Sequence, residues 1–172
     1  MSNVLIGIIG VILFIGLALA GALILGDDFK SASTDSKAAA VMSTLAQIAA
    51  GANMSTLKTG VPYSLDTVPP LMPRFVKSVP SGIGESFPFG FRTASGPLSP
   101  GPMAFALTAW AADSVEGRYV CSSIAQTYGA VMDAAGEPPR APAPTGNVSG
   151  CIKLNAEWGG VRNGTYVAWV RL

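Results

Sequence analysis

Two thiols and no imidazole bound the chemistry open to this chain. Its 172 residues include Cys121 and Cys151 and no histidine. Without imidazole there is no Ser–His or Cys–His relay and no histidine-ligated metal or haem. Two cysteines are too few for a four-cysteine zinc or iron–sulfur site. No Walker loop, dinucleotide fingerprint or serine nucleophile elbow occurs. Gly82-Ile83-Gly84-Glu85 is an isolated glycine pair with no helical pattern after it, and reads as a turn. Asp27 and Asp28 are candidate cation ligands, or more simply a solvated helix turn. Trp110, Trp158 and Trp169 read as a ligand platform or as core packing. Packing is favoured, because aromatic rings bury so much area. Sequons begin at Asn53, Asn147 and Asn163, and such short matches arise easily by chance. The expectation is a protein that is not an enzyme, with no cofactor and no metal.

The cysteines have two readings. A pair in an exported domain favours a disulfide. In a cytoplasmic domain the same residues would be buried free thiols. A Cys121–Cys151 bridge would close a loop worth about 3.5 kcal/mol by the chain-entropy estimate. It would tie the C-terminal strand region back to a preceding helix.

Charge and hydropathy narrow the class further. Lysine and arginine number 11 and acids number 10, for a net charge of +1. That gives no bulk footprint for nucleic acid. Charged residues are 12%, hydrophobic residues 49% and the mean hydropathy is +0.44, too apolar for disorder. The apolar excess lies at one end. No charged side chain occurs in residues 1–26, and Val4 to Leu25 contain nothing more polar than glycine. As a helix this run is about 33 Å long, one bilayer core. A signal peptide fits poorly, because the run is long and no basic n-region precedes it. Orientation is contested: Lys30 and Lys37 after the span would hold the C-terminal part in the cytoplasm, whereas a disulfide requires export. A basic leader once preceding Met1 would remove the conflict. Within the run, Gly7, Gly10, Gly16, Gly21 and Gly26 each weaken a helix and let a neighbour approach closely.

The elements that would carry these residues follow from periodicity. Beyond Asp28 the helix is expected to continue, with Val41, Leu45 and Ile48 flanked by Ala38, Met42 and Ala49 as an amphipathic stripe. Gly51 and Asn53 are stop signals, so one helix is expected from Ser2 to Ala50. Nine of the 13 prolines lie between residues 60 and 102, which predicts a long loop packed on the domain through residues such as Tyr63, Phe75 and Phe89. Met103–Ala112 reads as a strand with Phe105 and Leu107 on one face. Asp113 with Glu116 has capping-box spacing before a short helix that Gly129 can end. Residues 137–146 are a proline-rich loop. Strands are expected at 147–158 and, after the Asn163-Gly164 turn, at 165–172. The predicted fold is α+β: a long N-terminal hydrophobic helix packed on a small antiparallel sheet. Its divisions are 1–26, 27–52, 53–102 and 103–172.

This order of parts resembles type IV pilins, most of all the type IVb major pilins of conjugative thin pili and of toxin-coregulated or colonisation pili. The most specific match is FALTAWAADSVEGRYVCSSIAQTYG, which resembles the family's strand followed by a short helix carrying the first cysteine. The mature chain in that group often begins with methionine, as Met1 does here. The resemblance implies that Cys121 and Cys151 bound a variable region (121–151), and that residues 51–102 form the αβ-loop. It also implies N-methylation of Met1 after prepilin peptidase cleavage. It implies residence in the bacterial inner membrane before assembly, and then an extracellular helical filament of identical subunits built by pilus machinery. The filament core would be packed by Val4, Leu5, Ile8, Ile9, Val11, Ile12, Phe14, Ile15, Leu17, Leu19 and Leu23, with local unwinding at Gly10, Gly16, Gly21 and Gly26. Adhesion, aggregation or conjugative contact would be the fibre's task, with no direct nucleic-acid binding. One departure is plain: the family usually carries glutamate at mature position 5, and here that position is Leu5. The rival reading is a monomeric signal-anchored membrane protein whose exported domain binds a ligand or partner.

Overall fold

The computed structural model describes residues 2–60, 74–78, 82–95, 102–141 and 147–172; the side chains of 2–6, 22–29, 92–95 and 102–103 lie outside the description. The chain forms two compact units, residues 1–33 and residues 34–172.

The first helix, α1, spans Ser2–Thr59. The first unit includes the uncharged segment, residues 1–26. In the second unit α1 buries Ala38, Val41, Met42, Leu45, Ile48, Ala49 and Ala52, a stripe recurring every three or four residues. The expected stop at Gly51 and Asn53 is corrected. Gly51 is a packing residue: a Cβ there would lie 2.5 Å from Val76 Cγ2. The helix ends eight residues later, where Gly60 takes φ +71° and its amide donates to the Thr56 carbonyl at 2.8 Å.

Five strands follow: β1 (Gly90–Ser95), β2 (Pro102–Trp110), β3 (Arg140–Ala141), β4 (Ser149–Leu154) and β5 (Tyr166–Arg171). They form one sheet in the order β1-β2-β5-β4-β3. β1 corrects the expectation of an irregular segment from 60 to 102. It pairs antiparallel with β2, Gly90 facing Leu107 and Ser95 facing Pro102. Prolines bracket this stretch at 88 and 97 but none falls inside it, so its ladder amides are intact.

The sheet is mixed, not wholly antiparallel as expected. β3 runs parallel to β4, Arg140 beside Lys153 and Ala141 beside Leu154. The proline-rich stretch makes this edge. Proline has no amide to give, but its carbonyl accepts: the amide of Lys153 donates to Pro139 at 3.0 Å, and that of Asn155 to Ala141 at 3.2 Å.

Alternation along the strands sorts two cores. On one face Ala106, Trp110, Cys151, Tyr166 and Ala168 meet the α1 stripe together with Phe89, Phe91, Val120 and Ile124. On the other, Phe105, Leu107, Ala109, Ile152, Leu154, Val167 and Trp169 pack with Trp158. Phe105 and Leu107 therefore share a face, as their spacing predicts.

The second helix, α2, spans Val115–Thr127. Its cap is Ser114 rather than Asp113: the Gly117 amide donates to Ser114 Oγ at 2.9 Å. The one-residue shift releases Glu116 from any capping box. Gly117 lies against Trp110, where an added Cβ would collide with the Trp110 Cβ and Cγ. Gly117→Val is thus expected to cost about 1–3 kcal/mol, despite valine's better helix propensity. Urea unfolding of the full chain, followed by tryptophan near-ultraviolet circular dichroism, measures it. An unchanged midpoint would mean that α2 is not seated on Trp110 this way.

Candidate functional site: an uncovered apolar helix and a bridged domain

In the first unit, Ile8, Ile9, Val11, Ile12, Phe14, Ile15, Leu17 and Leu19 are each at least half exposed, with Phe14 at 74% and Leu17 at 73%. Leu13, which the sequence reading did not single out, is 62% exposed. These positions are nearly consecutive, so at about 100° per residue they cover every side of the helix, not one stripe. Val4, Leu5 and Leu23 lie outside the described side chains, and Met1 outside the described residues. Among the described residues no helix is long and apolar enough to cross a membrane. The described side chains of the uncharged run are those of 7–21, and both ends of Val4–Leu25 fall outside them.

The backbone of α1 stays helical through Gly10, Gly16, Gly21 and Gly26 in the single chain. A Cβ added at Gly7, Gly10, Gly16 or Gly21 meets nothing within 4 Å. These glycines make room for nothing inside the single chain.

In the second unit, Cys121 of α2 and Cys151 of β4 form a disulfide, with Cα atoms 5.3 Å apart and a sequence separation of 30. The reading as two free thiols is set aside. Both residues are buried to 1% exposure or less. The bridge fastens α2 to the sheet centre at the point where β4 pairs with β5, Cys151 facing Ala168.

The tryptophans pack rather than form a platform. Trp110, Trp158 and Trp169 are at most 4% exposed, and lie in two cores on opposite sheet faces. Trp158 meets Phe105 edge-on with ring centres 5.2 Å apart. Gly82–Glu85 is a turn, as read, with Gly84 at φ +62°. The side chains of Asp27 and Asp28 lie outside the description.

Two polar clusters escaped the sequence reading, because each is completed by a lysine distant in the chain, Lys37 at Glu116 and Lys153 at Glu137. Lys37 Nζ of α1 meets Glu116 Oε2 of α2 at 3.0 Å. The other oxygen of Glu116 accepts from the Glu85 amide at 3.1 Å, and Ser114 Oγ donates to the Glu85 carboxylate at 2.9 Å. One node thus joins α1, the 82–86 turn and the start of α2. At the sheet edge, Glu137 pairs with Arg140 at 2.7 Å and with Lys153 at 3.3 Å. The Arg140 guanidinium chiefly holds the Glu137 carboxyl below the usual carboxylate range, with Lys153 adding to it and partial desolvation opposing. A lowered folded value stabilises the fold above the ordinary carboxylate range. The benefit is lost as acid takes the pH down through that value. At this exposed edge the effect is small.

A groove of about 510 Å³ lies between α1 and α2, lined by Asp35, Ala38, Met42, Ser123, Ile124 and Tyr128 among others. Asp35 Oδ1 accepts from Ser123 Oγ there at 2.7 Å. Among the described residues no three potential metal-ligating side chains cluster. Compared with known proteins, the chain matches no family model, no curated protein and no solved structure.

Proposed function

We propose that this chain is a structural subunit that polymerises through its N-terminal apolar helix into an extracellular filament of the type IV pilus kind. One observation carries the reading: the described apolar side chains of residues 7–21 are uncovered on every side of the helix. Contiguous apolar surface of this extent marks a membrane or protein contact. A helix apolar all round must be surrounded, which takes acyl chains or several neighbouring helices at once. A single docking partner would leave most of it in water.

The proposed cycle uses both surroundings in turn. Before assembly the segment holds the subunit in the bacterial inner membrane, with the disulfide-bridged domain on the oxidising side. On assembly, sister helices replace lipid. Relative to water, burying this surface at about 25 cal/mol per Å² is worth tens of kcal/mol; relative to lipid it is worth far less. Extraction is therefore assigned to separate assembly machinery. Small residues at 10, 16, 21 and 26 let helices approach closely and are the proposed points of unwinding in the fibre. Leu5 supplies no charge to register subunits, so register falls to packing and to contacts of the folded domain. The fibre would serve adhesion, aggregation or conjugative contact.

Electron microscopy of material sheared from cells expressing the chain, with mass spectrometry of that material, tests the reading. The expected result is fibres composed of this chain. Their absence, with the chain recovered as a membrane-bound monomer, would favour the signal-anchored alternative.

A further inference from the structure

Two of the folded domain's groups of unpaired charges lie beside α1, at different heights along it. Near the C-terminal end of the helix, Lys58, Arg74 and Lys77 are exposed, and none has an acidic partner among the described residues. Lys58 Nζ lies 5.4 Å from the centre of the Phe75 ring and Arg74 Cζ lies 5.5 Å from it. One ring thus gathers two cations no more than about 11 Å apart. The helix C-terminus accounts for one cation in its last turn, Lys58, but not for the other two.

Lys37 is twenty-one residues earlier on the same helix, about 30 Å along the axis. Its partner Glu116 is neutralised by it. Around that pair are three exposed carboxylates with no cation partner among the described residues: Asp35, Glu85 and Asp113. Asp35 precedes Lys37 by two residues and is tied to α2 through Ser123. Glu85 is tied to Ser114, the neighbour of Asp113. The rise of about 30 Å from Lys37 to Lys58 is several Debye lengths at physiological ionic strength, so Lys58 is not neutralised by the carboxylates beside Lys37 within one copy.

We infer that Lys58, Arg74 and Lys77 of one copy dock on Asp35, Glu85 and Asp113 of a second copy, shifted about 30 Å along the helix direction. Three cations then face three carboxylates. The surfaces that meet are different, so the contact is heterologous, and repetition gives an open fibre rather than a closed dimer. This rests on the polymerisation proposed above. It adds what sets subunit register in a chain whose fifth residue is Leu5.

Two experiments test it, both in the full chain with the Cys121–Cys151 bridge checked intact. The K58E/R74E/K77E variant is expected to lower fibre yield at least tenfold, and adding D35K/E85K/D113K to restore fibres. Wild-type yield from the first variant would overturn the contact while leaving polymerisation standing. Independently, fibres carrying Lys58→Cys and Asp113→Cys are expected to give a ladder of disulfide-linked multimers on a non-reducing gel. Fibres that form without such multimers would overturn the contact. Absence of fibres from the wild type would instead defeat the polymerisation reading itself.

Discussion

Replacing Cys121 and Cys151 together with alanine is expected to destabilise the folded domain by about 3.5 kcal/mol, several hundredfold in the folding equilibrium. The bridge closes a segment 30 residues long. That segment includes the rest of α2, the proline-rich edge and the two-residue β3. Little regular structure holds it otherwise, so cutting the bridge releases a loop with much entropy to gain. Alanine is the appropriate replacement because both sites are almost wholly buried, and serine would add an unpaired hydroxyl. Urea unfolding of the full chain in detergent measures the difference, and unfolding of the native chain under reductant should approach the variant. A loss below about 1 kcal/mol would show that the unfolded chain is scarcely constrained by the bridge.

Gly16→Leu is expected to leave the folded domain unaltered and to abolish or sharply reduce fibres. The single chain offers no reason for glycine there, since an added Cβ meets nothing within 4 Å. Leucine is also the better helix former by nearly 1 kcal/mol. A loss of assembly therefore reports crowding between copies, or a helix that resists unwinding in the fibre, and not a defect of the single chain. Thermal unfolding should match the wild type, while negative-stain counts of sheared fibres should fall at least tenfold. Abundant normal fibres from this variant would remove the close-approach role of Gly16.

Much of the architecture was legible because it rests on local periodicity. The stripe from Ala38 to Ala49, the alternation of β2 with Phe105 and Leu107, and the Asn163-Gly164 turn before β5 are patterns within a few residues. The errors came where contacts far apart in sequence outweighed local signals. Gly51 reads as a stop, and only Val76 crossing over it shows why glycine is required mid-helix. Asp113 and Glu116 have capping spacing, yet Glu116 is recruited by Lys37, 79 residues away, and Ser114 takes the cap. β1 was hidden by flanking prolines, and the parallel β3 by prolines that can join a ladder only as acceptors. The candidate contact surface shows the same division. Its apolar helix was visible as a run of residues. The charge groups beside Lys37 and around Lys58, two positions about 30 Å apart along α1, emerge only when Arg74 lies by Phe75 with Lys58, and Glu85 by Ser114.

Assembly depends on one surface, the side chains of residues 7–21, and a three-dimensional reconstruction of purified fibres examines it directly. The predicted result is a filament in which Ile12, Phe14 and Leu17 are enclosed by the same segment of several neighbouring copies. Purified protein that is a solitary chain in a detergent micelle, with no second copy against that helix under conditions that preserve surface fibres, would contradict it.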